Sequence, residues 1–138
     1  MSRGDGFRTE HLFDLIMNDL GVRCSKPVKE ISYDRVCDLE NNLSRIQIRS
    51  SDSLCEDGHY HVSLRKQENG EKVTYTKAHA DFMVVHVAPL HDWYPMPISA
   101  VEDLTNMSFA DNPVRPGKYE KYRNNWEGFL ELLRMPKA

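Results

Sequence analysis

The chain predicts an α+β or mixed-sheet α/β domain organised around one sheet, and two observations carry that reading. Apolar residues recur at helical spacing mainly at the two ends, while the middle alternates with a period of two. One run, Phe82 to Val87, is apolar almost throughout, as in a strand covered on both faces. Helix, several strands, short helix, loop and short helix, in that order, suit a sheet with helices packed on it.

Phe7, Leu12, Phe13, Ile16, Met17 and Leu20 lie on one helical face, with Asp14, Asn18 and Asp19 opposite. Thr9 or Asp5 could cap the start, and Gly21 ends the helix as a C-cap. Cys24-Ser25-Lys26-Pro27 is a break. Lys29 to Asp38 then reads as a strand, Glu40-Asn41-Asn42 as a turn, and Leu43 to Ser50 as the returning strand of an antiparallel hairpin. The stretch from Ser50 to Gly58 is a polar loop, and Tyr60 to Lys66 is a third strand. Asn69-Gly70 is a turn, and Lys77 to Asp81 is one helical turn. Trp93 to Ile98 is a strand whose Pro95 and Pro97 suit an edge. Ser99 to Glu102 starts a short helix, Asn112 to Asn125 is a loop, and Trp126 to Leu133 is a small C-terminal helix.

With 138 residues, the chain suits one domain, 1–138, that can bury a core without disulfides or structural metal. At 40% hydrophobic and 28% charged it is globular in composition, and no apolar run approaches a bilayer span. MSRGDGFRTEH holds no apolar signal core, so a cytoplasmic location is expected. The net charge of −3 does not advertise a polyanion partner. One segment differs: NPVRPGKYEKYRNN carries Arg115, Lys118, Lys121 and Arg123 against Glu120, with Tyr119 and Tyr122 interleaved. It reads either as a solvated basic loop or as a patch that tracks a polynucleotide backbone.

Cys24, Cys37 and Cys55 are odd in number and lack CxxC spacing, which suits free thiols. His59 and His61 share a strand face, but no third ligand is suitably spaced, so they read as surface histidines. His86, inside FMVVHV, reads as a satisfied core histidine.

The hairpin is the informative piece. It sets Asp34 on one strand and Gln47 and Arg49 on the next, two residues apart and therefore on one face. Ile48 between them points to a core. Polar groups on an inner sheet face are costly unless something uses them, and a carboxylate beside other oxygen donors suits a hard cation such as Mg²⁺ or Mn²⁺.

Asp34, about a dozen residues, then Gln47-Ile48-Arg49 resembles the PD-(D/E)XK nuclease pattern, an acid on one strand and (D/E)-x-K on the next. More narrowly, YD-x-V-x-D…RIQIRS resembles the branch of group I intron homing endonucleases that carries Gln at the first position of the second motif. Glu10 in the opening helix, Lys26-Pro27, Tyr75, Ala80-Asp81-Phe82, Trp93–Ile98 and Asn124-Asn125-Trp126 extend the resemblance over nearly the whole chain.

The resemblance implies a restriction-endonuclease-like fold, a central mixed sheet flanked by helices. It implies hydrolysis of phosphodiester bonds in double-stranded DNA with Mg²⁺ or Mn²⁺. Asp34 would be the principal metal ligand, Gln47 a neutral second ligand and Glu10 a further acid, while Asp38 lies too far along its strand. Arg49 stands where the family has lysine. Arginine cannot lose its proton, though it can hold charge against a phosphate. DNA contact would come from Arg115, Lys118, Lys121 and Arg123 and from the Ser50–Gly58 loop. A chain this small would need a homo-oligomer, dimer or tetramer, to read a long target. The alternatives are a catalytically impaired nuclease fold acting as a DNA-binding or interaction module, and a nuclease for structured DNA.

Overall fold

The computed structural model describes residues 3–29, 32–111 and 115–136. Helix α1 (Arg3–Asp19) buries Phe13 and Met17, one turn apart, with Leu12 and Ile16 beside them. The side chains of Asp5 and Phe7 lie outside the description. A Schellman closure ends the helix: Gly21 takes φ +78°, its N–H donates to the Asn18 carbonyl at 3.1 Å, and the Val22 N–H donates to Met17 at 2.9 Å.

The chain then forms β1 (Arg23–Ser25), a strand where the sequence suggested only a break. Next come β2 (Arg35–Leu39) and β3 (Asn42–Ser51). The expected strand from Lys29 is corrected here. Residues 30 and 31 lie outside the described residues, and the ladder begins only at Arg35. The hairpin turn is Glu40-Asn41, with φ +52° and +70°, the two left-handed positions of a type I′ turn. A glutamate therefore occupies a slot that the Asn pair had suggested for asparagine.

After β3 the chain leaves the main sheet for β4 (His59–Ser63), β5 (Arg65–Glu68) and β6 (Glu71–Thr74). The single strand expected from Tyr60 to Lys66 is split at Leu64. The chain returns as β7 (Phe82–Val87) and β8 (Asp92–Pro97), then β9 (Asn106–Ala110) and α2 (Trp126–Arg134). Residues 112–114 of the expected basic loop lie outside the described residues.

The five-stranded sheet has the order β1-β2-β3-β7-β8, with β3–β7 parallel and the other pairs antiparallel. The proline-bearing β8 holds an edge, as expected. Two ribbons, β4–β9 and β5–β6, stand apart from it, so the expectation of one sheet holds only for the core. On one face Ile46, Ile48, Phe82, Val84 and Trp93 pack against Phe13, Met17, Phe129 and Leu133 of the helices. On the other, Met83, Val85, Tyr94 and Met96 pack against Tyr60, Val62, Met107 and Phe109 of the β4–β9 ribbon. All six residues of β7 are buried for this reason.

Candidate active site

Asp34 sits one residue before β2, where the strand pair opens. Its N–H still donates to the Ile46 carbonyl at 2.8 Å, the residue that Arg35 also opposes, and Asp34 and Gln47 line the same cleft. The Asp34 Oδ2 accepts from the Ile48 N–H at 2.9 Å. Burial raises the carboxyl above its ordinary pKa and the nearby Glu10 pushes the same way, while the Ile48 N–H, Arg49 and Arg35 pull it down. Gln47 is buried, and among the described residues no hydrogen bond reaches its amide.

Glu10 comes from the other side of the sheet edge. Arg35 alternates onto the helix face of β2, where only 4% of it is exposed. Its Nε and Nη2 donate to the two oxygens of Asp14 at 2.8 and 2.9 Å, and its Nη1 donates to Glu10 Oε1 at 2.8 Å and to the Asp34 carbonyl at 2.8 Å. The two carboxylates raise the arginine's pKa further. This fork lashes α1 to the start of β2 and so brings Glu10 beside Asp34. Sequence reasoning missed Arg35, reading it only as part of the strand from Lys29 to Asp38. The signal available was an arginine at a core-facing position, which needs acid partners.

Glu10, Asp34 and Gln47 line one cleft of about 640 Å³ together with Tyr75 and three lysines, Lys26, Lys29 and Lys66. Arg49 does not line it but reaches it through Tyr75. Its Nη2 donates to the Tyr75 hydroxyl at 2.6 Å and lies 3.4 Å from the Arg65 carbonyl, and its guanidinium centre lies 5.4 Å from the Tyr75 ring. Burial pushes the Tyr75 phenol up, against the pull of Arg49. Asp38 pairs with Leu43 near the far end of the hairpin, away from the cleft.

The basic segment is elsewhere. Arg115, Lys118 and Arg123 line a second cleft of about 540 Å³ that shares no residue with the first. Carboxylates of Asp92, Asp111 and Glu120 line it as well. Arg123 pairs with Glu120 at 2.7 Å, and Lys118 and Lys121 lie over Tyr119 and Tyr122 at 5.6 and 5.1 Å. In the Ser50–Gly58 loop Asp57 accepts from His61 at 2.8 Å, which accounts for one of the histidine pair.

His86 is buried against Trp93, ring to ring at 4.0 Å, and its Nδ1 lies 3.3 Å from Thr9 Oγ1. Burial drives its pKa down to about 4, so it is neutral in the core, as expected. Cys24 and Cys37 face each other across β1–β2 as free thiols, and Cys55 is exposed.

A set of two carboxylates, one amide oxygen, one fixed guanidinium and three ammonium groups can bind a hard cation and a phosphodiester together. Among the described residues no three of His, Cys, Asp or Glu are gathered for a metal, so a cation here would rest on Asp34, Glu10 and a neutral donor. No helix of the described residues is long and apolar enough to cross a membrane.

No curated protein matches the chain. Among solved structures, the bacterial homing endonuclease I-Ssp6803I superposes with a TM-score of 0.80 at 24% identity, covering 92% of this chain and 91% of that one. MepB superposes with a TM-score of 0.51 at 15% identity, covering 89% and 96%. The mixed sheet with its helices is thus a restriction-endonuclease-like fold. The profile of the PD-(D/E)XK endonuclease family matches residues 2–128, nearly the whole sequence, and the chain belongs to that family.

Proposed function

We propose that the chain is a DNA endonuclease of the homing type, hydrolysing phosphodiester bonds with a divalent cation, Mg²⁺ or Mn²⁺, in the Asp34 cleft. One observation carries the reading. Asp34 and Gln47 line one cleft where the hairpin opens, and the buried Arg35 fork holds Glu10 beside Asp34. The likeness to a bacterial homing endonuclease supports the finer assignment.

The donor set fits a hard cation. A desolvated carboxyl, a like-charged neighbour and an amide without a hydrogen bond among the described residues are each relieved by one. Asp34, Glu10 and Gln47 would hold it. When bound, such an ion polarises the phosphate and lowers the pKa of a coordinated water. The chain's own groups do the rest. Lys26, Lys29 and Lys66 draw the DNA backbone into the cleft, and Arg49, bonded to the cleft-lining Tyr75, adds a fixed positive charge behind it. The cleft lysines join Arg115, Lys118, Lys121 and Arg123 as DNA-contact residues. A dimer or tetramer would supply the surface that a long target needs.

Arg49 in place of lysine favours a second reading, a nuclease fold that binds DNA without cutting it. Cleavage of supercoiled plasmid and of host DNA in Mg²⁺ and Mn²⁺ separates the two. Cutting by the wild type that Asp34→Ala abolishes is the expected result. Cutting only by Arg49→Lys would establish the second reading.

A further inference from the structure

Resting on the reading above, we infer that Tyr75 is a further catalytic residue: its hydroxyl accepts from Arg49 and donates its own hydrogen to a phosphate oxygen in the Asp34 cleft. The arginine's charge would thus reach the substrate through the phenol.

The chemistry of the pair fixes the direction of the bond. A guanidinium has donors and no acceptor, so in the 2.6 Å contact the phenol oxygen accepts. The phenolic hydrogen is then left to donate, and among the described residues no acceptor takes it. Tyr75 is 2% exposed, yet it lines the cleft with Asp34 and Gln47. A hydroxyl that accepts a charge-assisted hydrogen bond is also polarised into a stronger donor.

Arg49 is poorly free to do this work itself. It pairs with Val85 in the β3–β7 register, on the face that packs against the apolar β4–β9 ribbon. Its Nε is fully buried and without a hydrogen-bond partner among the described residues, and its Nη2 is shared between Tyr75 and the Arg65 carbonyl.

The phenol is held from several sides. Its ring lies under the guanidinium at 5.4 Å and edge-on to His79 at 5.9 Å. The Thr76 N–H donates to His79 Nδ1 at 3.0 Å, which puts the ring proton on Nε2, facing Glu68 at 2.9 Å. The β5–β6 arm is thereby tied to the segment that carries Tyr75. A donor fixed before the substrate arrives needs no reorganisation during the reaction.

Single-turnover plasmid cleavage in Mn²⁺ tests this, with wild type, Tyr75→Phe, Arg49→Lys, the double variant and Asp34→Ala compared beside duplex binding. Tyr75→Phe keeps the ring and its packing. It should cut on the order of 100-fold more slowly, the usual cost of one preorganised donor, with duplex affinity within about two-fold of wild type. The double variant should lose no more than the worse single one, since the two residues act as a unit. Wild-type cleavage by Tyr75→Phe, a slowing matched by an equal loss of binding, or losses that multiply in the double variant would each overturn the assignment while leaving the nuclease reading intact. Cleavage that survives Asp34→Ala, or a wild type that cuts nothing in either metal, would sink the site reading and the Tyr75 role with it.

Discussion

The Asp34 cleft and the cleft beside the basic segment are similar in size, about 640 and 540 Å³, and both are rich in charge. They differ in what the charges are doing. In the first, a buried arginine consumes one oxygen of Glu10 and both of Asp14, which among the described residues leaves Gln47 and part of each cleft carboxylate uncommitted. In the second, Arg123 is spent on Glu120 at the surface, and three acids line the same hollow as the bases. Charge density along a sequence therefore says little about a site. A site has its groups positioned by bonds made elsewhere, with donors and acceptors left over.

The largest effect expected from breaking this contrast is at Asp34. Asp34→Ala should slow cleavage by at least about 10³-fold, roughly 4 kcal/mol of barrier, and a quantitative plasmid assay measures it. Next is the fork that assembles the cleft. Arg35→Met leaves Asp14 and Glu10 without their partner, and should destabilise the chain by about 3 kcal/mol in urea titration and remove cleavage as well. A stable, active Arg35→Met would mean that α1 is docked by its apolar face alone.

A third, somewhat smaller effect runs through pH. His86 braces Thr9, the neighbour of Glu10, and its pKa is depressed to about 4 from an ordinary 6.5. A depressed histidine gives stability that is complete above about pH 6.5 and is lost as the pH falls toward 4. Up to about 3 kcal/mol is at stake. Denaturation midpoints measured across that window should fall, and should fall less in His86→Gln.

The smallest effects are expected in the basic segment. Lys118→Ala with Lys121→Ala should weaken duplex binding only a few-fold and flatten its salt dependence by at most about two in log–log slope. Lys29→Ala with Lys66→Ala, in the cleft, should cost more. The reverse ranking would move the main DNA contact to the basic segment.

The sequence reading was strongest where local geometry decides. The β2–β3 hairpin was legible from alternation and a turn, and so was the shared face of Gln47 and Arg49. The doubly buried β7 was legible because a strand covered on both sides has no polar period to hide it. The short strands β1, β6 and β9 were missed, since three to five residues carry too little pattern to stand out. In NMSFA, Met107 and Phe109 did alternate inward. Arg35 and Tyr75 were not read as site residues for a different reason. Their roles depend on α1 and on the β5–β6 arm meeting the hairpin, contacts that span 21 residues from Arg35 to Asp14 and 26 from Arg49 to Tyr75. No local periodicity reports such meetings.

The parallel pairing of β3 with β7 has a consequence for the chain as it is made. The hairpin can close within microseconds of its synthesis, whereas β7 must wait for an excursion through β4 and the β5–β6 ribbon and then for β8 to cover its other edge. Until residue 97 has emerged, FMVVHV is an uncharged, proline-free strand whose β8 edge is open, the type of segment that nucleates cross-β aggregates. Ribosome-bound chains stopped between residues 87 and 97 should therefore be the most aggregation-prone lengths, and chaperone demand should drop once β8 can pair.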